Sequence, residues 1–184
     1  MTSSAYDDII NKWATFYGIP AALVKAVVRQ ESTFNASANN PEDPSWGLMG
    51  VMSGTADFVG RLFGFKPASH WQDTADANVQ IGAGYLKYQL DRYNGNVPNA
   101  VAAYNSGTVK TKKDGSYINQ KYVDDVLGWF SQYSGTSTPP STPVAGPSDY
   151  TPGGSGTGDG GDALKTIFIA SAGLLAVLML RRLL

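Results

Sequence analysis

Residues 134–161 divide this chain. Apart from Val144, Ala145, Asp149, Tyr150 and Asp159, the run is made of glycine, proline, serine and threonine. It holds too few apolar groups to offset the entropy of ordering a chain, so it reads as a disordered linker. A flexible segment of this length spans about 30 Å on average, from roughly 5–6 Å × √n. Cooperative folding is thereby confined to residues 1–133, with residues 162–184 as a separate third zone. Within 1–133 the apolar residues recur with helical spacing and no segment sustains strand alternation, so the expected fold class is mainly α.

The helix boundaries follow from caps and breakers. A first helix is expected over about Ala5 to Tyr17, capped by Ser4, with Ile9, Ile10, Trp13 and Phe16 on its apolar face. Gly18 stops it and Pro20 starts the next, which runs to Ser32. A polar loop spans Asn35 to Trp46. Ser53 is placed to cap a short helix through Phe63, and Asp73 a long one through about Arg92 that buries Val79, Gly82, Leu86, Leu90 and Tyr93. Pro98 opens a helix that Gly107 closes. Asn119 precedes a last helix with Tyr122, Val123, Val126, Leu127 and Phe130 on one face, and a short hairpin fits Lys110 to Tyr117.

The third zone is of a different kind. Residues 166–180 carry no charge, with Lys165 before them and Arg181 and Arg182 after. As a helix this stretch covers about 22 Å, against a bilayer core of about 30 Å. Ala163, Leu164, Leu183 and Leu184 extend it, and the basic groups can snorkel. The expectation is a single C-terminal transmembrane helix over 162–184, contacting lipid through residues 163–184. A partner-binding apolar helix is the alternative. Two arginines against one lysine favour the C-terminus inside and the globular zone outside. The N-terminal residues lack the basic start and apolar core of a secretory signal.

Composition narrows the chemistry. The chain has no cysteine and one histidine, His70, so thiol nucleophiles, disulfides and histidine-rich zinc sites are disfavoured. The net charge of −1 over 184 residues gives no electrostatic footprint for nucleic acid. Hydrolytic chemistry would run on carboxylates.

One carboxylate stands out. Glu31 ends the apolar helix, and Leu23, Val24, Val27 and Val28 share its face. Burial and the helix C-terminus both disfavour its charged form and raise its pKa. A carboxyl group that stays protonated near neutral pH is suited to general acid catalysis. The plain alternative is a helix-end glutamate that is exposed or locally paired.

Further segments accompany it in order: Gly47-Leu48-Met49-Gly50, Asn78-Val79 with Gly84-Tyr85-Leu86, and Ala103-Tyr104-Asn105-Ser106-Gly107. Following the pair Glu31-Ser32, this series resembles the soluble lytic transglycosylase family, of the lysozyme-like superfamily, over about Tyr17 to Tyr122. The family pattern has glutamine where this chain has Gly50, and often proline where it has Ser53. The loop before Trp46, with Pro41-Glu42-Asp43-Pro44, is also unusual.

The resemblance implies a lysozyme-like domain over 1–133 that cleaves the β-1,4 bond between N-acetylmuramic acid and N-acetylglucosamine in peptidoglycan glycan strands. Glu31 would be the catalytic acid and base. Ser32 would orient it or contact the N-acetyl group, Met49 would line the sugar cleft, and Tyr104 would hold the Glu31 side chain. Asn105 would support the turn or the site, and Tyr122 would form a wall. No metal or cofactor is implied. The product would be a 1,6-anhydro sugar. A second carboxylate among Glu42, Asp43 and Asp57 would instead make a lysozyme-like hydrolase, and a non-catalytic wall-binding module on a tether is a third reading. The layout fits local wall opening from a virion membrane or a bacterial inner membrane, with virion or envelope-complex partners, in a phage protein or else in a conjugation or secretion system.

Overall fold

The computed structural model describes residues 5–42 and 44–135. The expected linker beyond Gly135, the expected transmembrane helix and the Ser4 cap lie outside the described residues. Among the described residues, no helix is long and apolar enough to cross a membrane.

Six helices carry the fold: α1 Asp7–Tyr17, α2 Ala21–Ser32, α3 Ser53–Phe63, α4 Ala75–Arg92, α5 Val97–Ser106 and α6 Gln120–Ser134. The mainly helical expectation holds. Between α2 and α3 lies a small antiparallel sheet of three two-residue strands, β1 Asn39–Asn40, β2 Ser45–Trp46 and β3 Val51–Met52, in the order β1-β2-β3. Sequence patterning missed this sheet because two residues are too short to show alternation. The suspected hairpin near Lys110 is reduced to one antiparallel bridge between Thr111 and Tyr117.

Caps differ from expectation in detail. Ser53 and Asp73 are not the caps of α3 and α4; Met52 and Thr74 are, and neither makes a side-chain bond. Asn119 is the N-cap of α6, as expected, but its side chain makes no capping bond and donates to the Ala102 carbonyl instead. Asn96 does cap α5, accepting from the Asn99 amide. Gly18 and Gly107 end α1 and α5 in the left-handed conformation. In α1 the buried residues are Ile10, Trp13, Ala14 and Tyr17, a regular i, i+3, i+4, i+7 stripe. Phe16 falls outside that stripe and is 67% exposed.

The centre of the molecule is α2. It packs on α6 and α1, while α4 packs on α1, α3 and α5. Leu23, Val24, Ala26, Val27 and Val28 have no exposed surface. Each of the larger ones gains roughly 1.5–3 kcal/mol by burial. Lys25 and Arg29 do not leave the helix open to water. Lys25 pairs with Asp7 at 2.7 Å and lies over the Tyr133 ring, and Arg29 lies over the Trp129 ring at 5.0 Å.

After Ser32 the chain turns through two successive non-glycine residues of positive φ, Thr33 at 52° and Phe34 at 64°. A β-branched and a bulky residue rarely adopt this conformation. The bend is held by the Thr33 amide on the Arg29 carbonyl and the Asn35 amide on the Ser32 carbonyl.

The segment from Trp46 to Gly50 is fixed from α4. The fully buried Asn78 accepts from the Met49 amide at 2.9 Å and donates to the Trp46 carbonyl at 2.8 Å. Gly47, at φ 73°, lies so close that any Cβ would collide with the Asn78 amide. Met49 settles over Gly82, where a Cβ would lie 2.5 Å from that of Met49. Small residues in mid-helix thus let the turn reach α4. Replacing Asn78 by alanine strands the buried Met49 amide and the partly buried Trp46 carbonyl. The expected loss is about 2–4 kcal/mol of unfolding free energy, checked by urea denaturation.

Candidate active site

Four pieces of chain meet at Glu31: the last turn of α2, the 47–50 turn, α5 through Tyr104, and α6 through Tyr122. Glu31 Oε1 accepts a hydrogen bond from the Tyr122 hydroxyl at 2.5 Å. On the other side, a Cβ on Gly50 would lie 2.5 Å from Oε2. The carboxyl group is therefore held between a phenol and a bare stretch of backbone.

Burial raises the Glu31 pKa from 4.5 to about 7, and the Tyr122 hydrogen bond acts in the opposite direction. Burial, rather than a neighbouring negative charge, produces the rise. The two phenols beside it, Tyr104 and Tyr122, are pushed well above 10, first by burial and then by the Glu31 carboxylate. Both stay protonated across the neutral range and remain hydrogen-bond donors.

The other residues singled out in the sequence fall into two groups. Tyr104 and Tyr122 lie at the acid. Tyr104 is nearly enclosed and donates to the Met49 carbonyl at 2.8 Å, so it steadies the turn that faces Glu31 rather than bonding the carboxyl itself. Tyr122 makes the direct bond. Ser32, Met49 and Asn105 are occupied elsewhere. The Ser32 hydroxyl lies 2.9 Å from the Leu48 carbonyl and 3.1 Å from that of Val28, tying α2 to the turn. The Met49 side chain has no exposed surface, so its backbone, not its thioether, belongs to the site. Exposed Asn105 accepts from Asn119 at 2.9 Å, bracing the end of α5 against the start of α6.

Two residues of the sequence motifs have roles that sequence reasoning did not assign. Asn78 sets the turn from a distance of 29 positions in the chain. Its signal was present, as a polar residue at a position flanked by core residues of α4. Gly50 read as a missing glutamine, although its close approach to the acid is a positive feature. Of the candidate second carboxylates, Glu42 and Asp57 are exposed, and Asp43 lies outside the described residues. Among the described residues no cluster of histidine and carboxylate groups could hold a metal ion.

Comparison with known proteins places this geometry. Over 106 residues the chain is 33% identical to the soluble lytic murein transglycosylase of Escherichia coli K12, which covers 56% of this chain and 16% of that protein. It is 30% identical over 112 residues to the membrane-bound lytic murein transglycosylase C of Edwardsiella ictaluri, covering 55% of this chain and 31% of the relative. The chain thus spans less than a third of the length of either relative. Among solved structures, an inactive mutant of the lytic transglycosylase Slt from Pseudomonas aeruginosa superposes with a TM-score of 0.62 at 28% identity, over 71% of this chain and 24% of that one. The 70 kDa soluble lytic transglycosylase from Escherichia coli gives 0.53 at 27% identity, over 70% of this chain and 19% of that one. The family model for the transglycosylase SLT domain matches residues 8–125, which contain every residue that meets at Glu31, and the chain belongs to that family.

Proposed function

We propose that this chain is a peptidoglycan lytic transglycosylase with Glu31 as its single acid and base. The observation that carries the reading is a buried carboxyl group with a pKa near 7, held by Tyr122 at the meeting point of α2, α5, α6 and the 47–50 turn. Family membership and the names of the relatives give the substrate class.

The mechanism follows from one carboxyl group acting twice. Protonated Glu31 gives its proton to the glycosidic oxygen between N-acetylmuramic acid and N-acetylglucosamine as the bond breaks. The substrate's own N-acetyl carbonyl stabilises the electron-poor anomeric carbon. Glu31, now a carboxylate, takes the proton from the 6-hydroxyl of the same sugar. That oxygen attacks the anomeric carbon and closes a 1,6-anhydro ring. Attack within one residue gains from proximity and needs no water. Enzymes that use two carboxyl groups hold them roughly 5–10 Å apart across the bond. A second such group would add its charge to the rise of Glu31, whereas burial accounts for that rise here.

Ser32, Met49, Tyr104 and Asn105 support this reaction by fixing the walls around the acid, and Tyr122 by orienting it. Residues 162–184, with the uncharged run 166–180 at their centre, serve as a membrane anchor, and residues 134–161 as the tether that lets the domain reach the wall. One relative is itself described as membrane-bound. The role is local opening of the cell wall, in phage entry or exit. Detection of the chain in purified phage particles tests this setting, and its confinement to uninfected cell envelopes would rule it out.

The activity itself is tested by mass spectrometry of peptidoglycan digested with the purified chain. Ends carrying 1,6-anhydro sugars are expected, and Glu31→Gln should abolish them. Reducing ends would mean a hydrolase, and no cleavage by folded protein would mean a binding module.

Protonation gives two more expectations. A group whose folded pKa is raised stabilises the fold below its unfolded value, and that contribution is lost as pH rises through the folded value. Glu31→Gln should therefore be more stable than the parent above pH 7, by up to about 3 kcal/mol, and the gap should close below about pH 4.5; thermal melts across this range check it. Initial rates of the parent chain should fall as pH rises through about 7. Tyr122→Phe removes the bond that favours the carboxylate, so this limb should move up by about one unit while the maximal rate drops, as read from pH–rate profiles.

A further inference from the structure

The two oxygens of Glu31 have different surroundings. Oε1 is occupied as an acceptor by the Tyr122 hydroxyl. A protonated carboxyl group has one carbonyl oxygen that accepts and one hydroxyl that donates. With Oε1 accepting, the acidic proton belongs on Oε2, the oxygen that faces Gly50. A Cβ at position 50 would lie 2.5 Å from Oε2 and 3.1 Å from the carboxyl carbon. Gly50 also has φ 56°, which side chains rarely adopt. No side chain fits this backbone while Glu31 keeps its place.

We propose that Gly50 is a positioning residue: its bare Cα leaves Oε2 of Glu31 uncovered and sets the direction from which the glycosidic oxygen meets the acidic proton. This rests on the reading of Glu31 as the general acid. A glutamine, which the sequence pattern of the family has at this position, would bring a Cβ into Oε2. The glycine and that glutamine are therefore not interchangeable here without moving the acid. The device belongs to this chain's own turn, held by Asn78, Tyr104 and Ser32.

The test separates collision from backbone strain. Gly64 ends α3 at φ 71° with nothing within 4 Å of a built Cβ, so Gly64→Ala carries the same backbone penalty without a neighbour. Both variants of the full chain should lose thermal stability from backbone strain, and Gly50→Ala should lose more because its Cβ also strikes Glu31. Only Gly50→Ala should lower turnover on peptidoglycan, by about 100-fold, the size expected for displacing a reacting group by about 1 Å. It should also shift the Glu31 titration, followed by carbon NMR of the carboxyl group, by about half a unit or more. Turnover and titration matching those of Gly64→Ala would overturn the proposal. If Gly50→Ala alone does not fold, Glu31→Ala in the same chain should restore folding by removing the atom it strikes. Failure of that rescue counts against the proposal. Inactivity of the parent chain would instead sink the enzymatic reading, and the titration and rescue would still report on the contact.

Discussion

Everything at the site depends on how firmly the backbone from Trp46 to Gly50 is held. Three side chains, one from each of three helices, fix it with four hydrogen bonds. Asn78 on α4 binds the Trp46 carbonyl and the Met49 amide, Tyr104 on α5 binds the Met49 carbonyl, and Ser32 on α2 binds the Leu48 carbonyl. A buried peptide group left unbonded costs about 1–3 kcal/mol, so each contact excludes alternative placements of the turn. With Leu48 and Met49 fully enclosed and Gly47 lacking a Cβ, the turn fits in one way. Glu31 can then approach bare backbone at Gly50, because that backbone does not move.

The electrostatics follow from the packing. A carboxyl group at the end of a helix whose apolar face is enclosed loses hydration, and this loss outweighs the hydrogen bond from Tyr122. Both neighbouring phenols are themselves too buried to ionise near neutrality, so they cannot exchange roles with the acid. The result is one titrating group with a value near 7 among partners that only donate. Placing the acid on α2 rather than on a loop couples its protonation to the same desolvation that stabilises the core.

Much of this was legible in the sequence. Glu31 shares a face with Leu23, Val24, Val27 and Val28, and that pattern foretold both the burial and the direction of the pKa shift. The six helices could be placed because glycines and prolines punctuate them, and α4 buries the residues its period assigned. The failures have physical causes. Two cap residues were misplaced by one position, since Ser53 and Asp73 look like caps but the chain begins each helix without a side-chain bond. Phe16 was read as core because helical spacing tolerates a neighbouring position, and tertiary packing chose Tyr17. Roles at the site were harder. Met49 was expected to line the cleft and Ser32 to orient Glu31 or contact the substrate; the Met49 side chain is enclosed and the Ser32 hydroxyl lies on the Leu48 and Val28 carbonyls, contacts that a linear sequence does not display. Gly50 stood out as a departure from the family's glutamine, but nothing in a linear pattern shows which oxygen lies beside a missing Cβ.

The enclosure of α2 has an evolutionary side. The apolar face of this helix is enclosed, so Leu23, Val24, Ala26, Val27 and Val28 cannot change without a matching change elsewhere, and the same helix ends in Glu31. Drift in Val27 or Val28 would tilt Glu31 as well as weaken the core. Selection for stability and selection for chemistry therefore act on one set of residues in this domain. Exposed stretches such as 41–42 and 112–115 lie under neither demand.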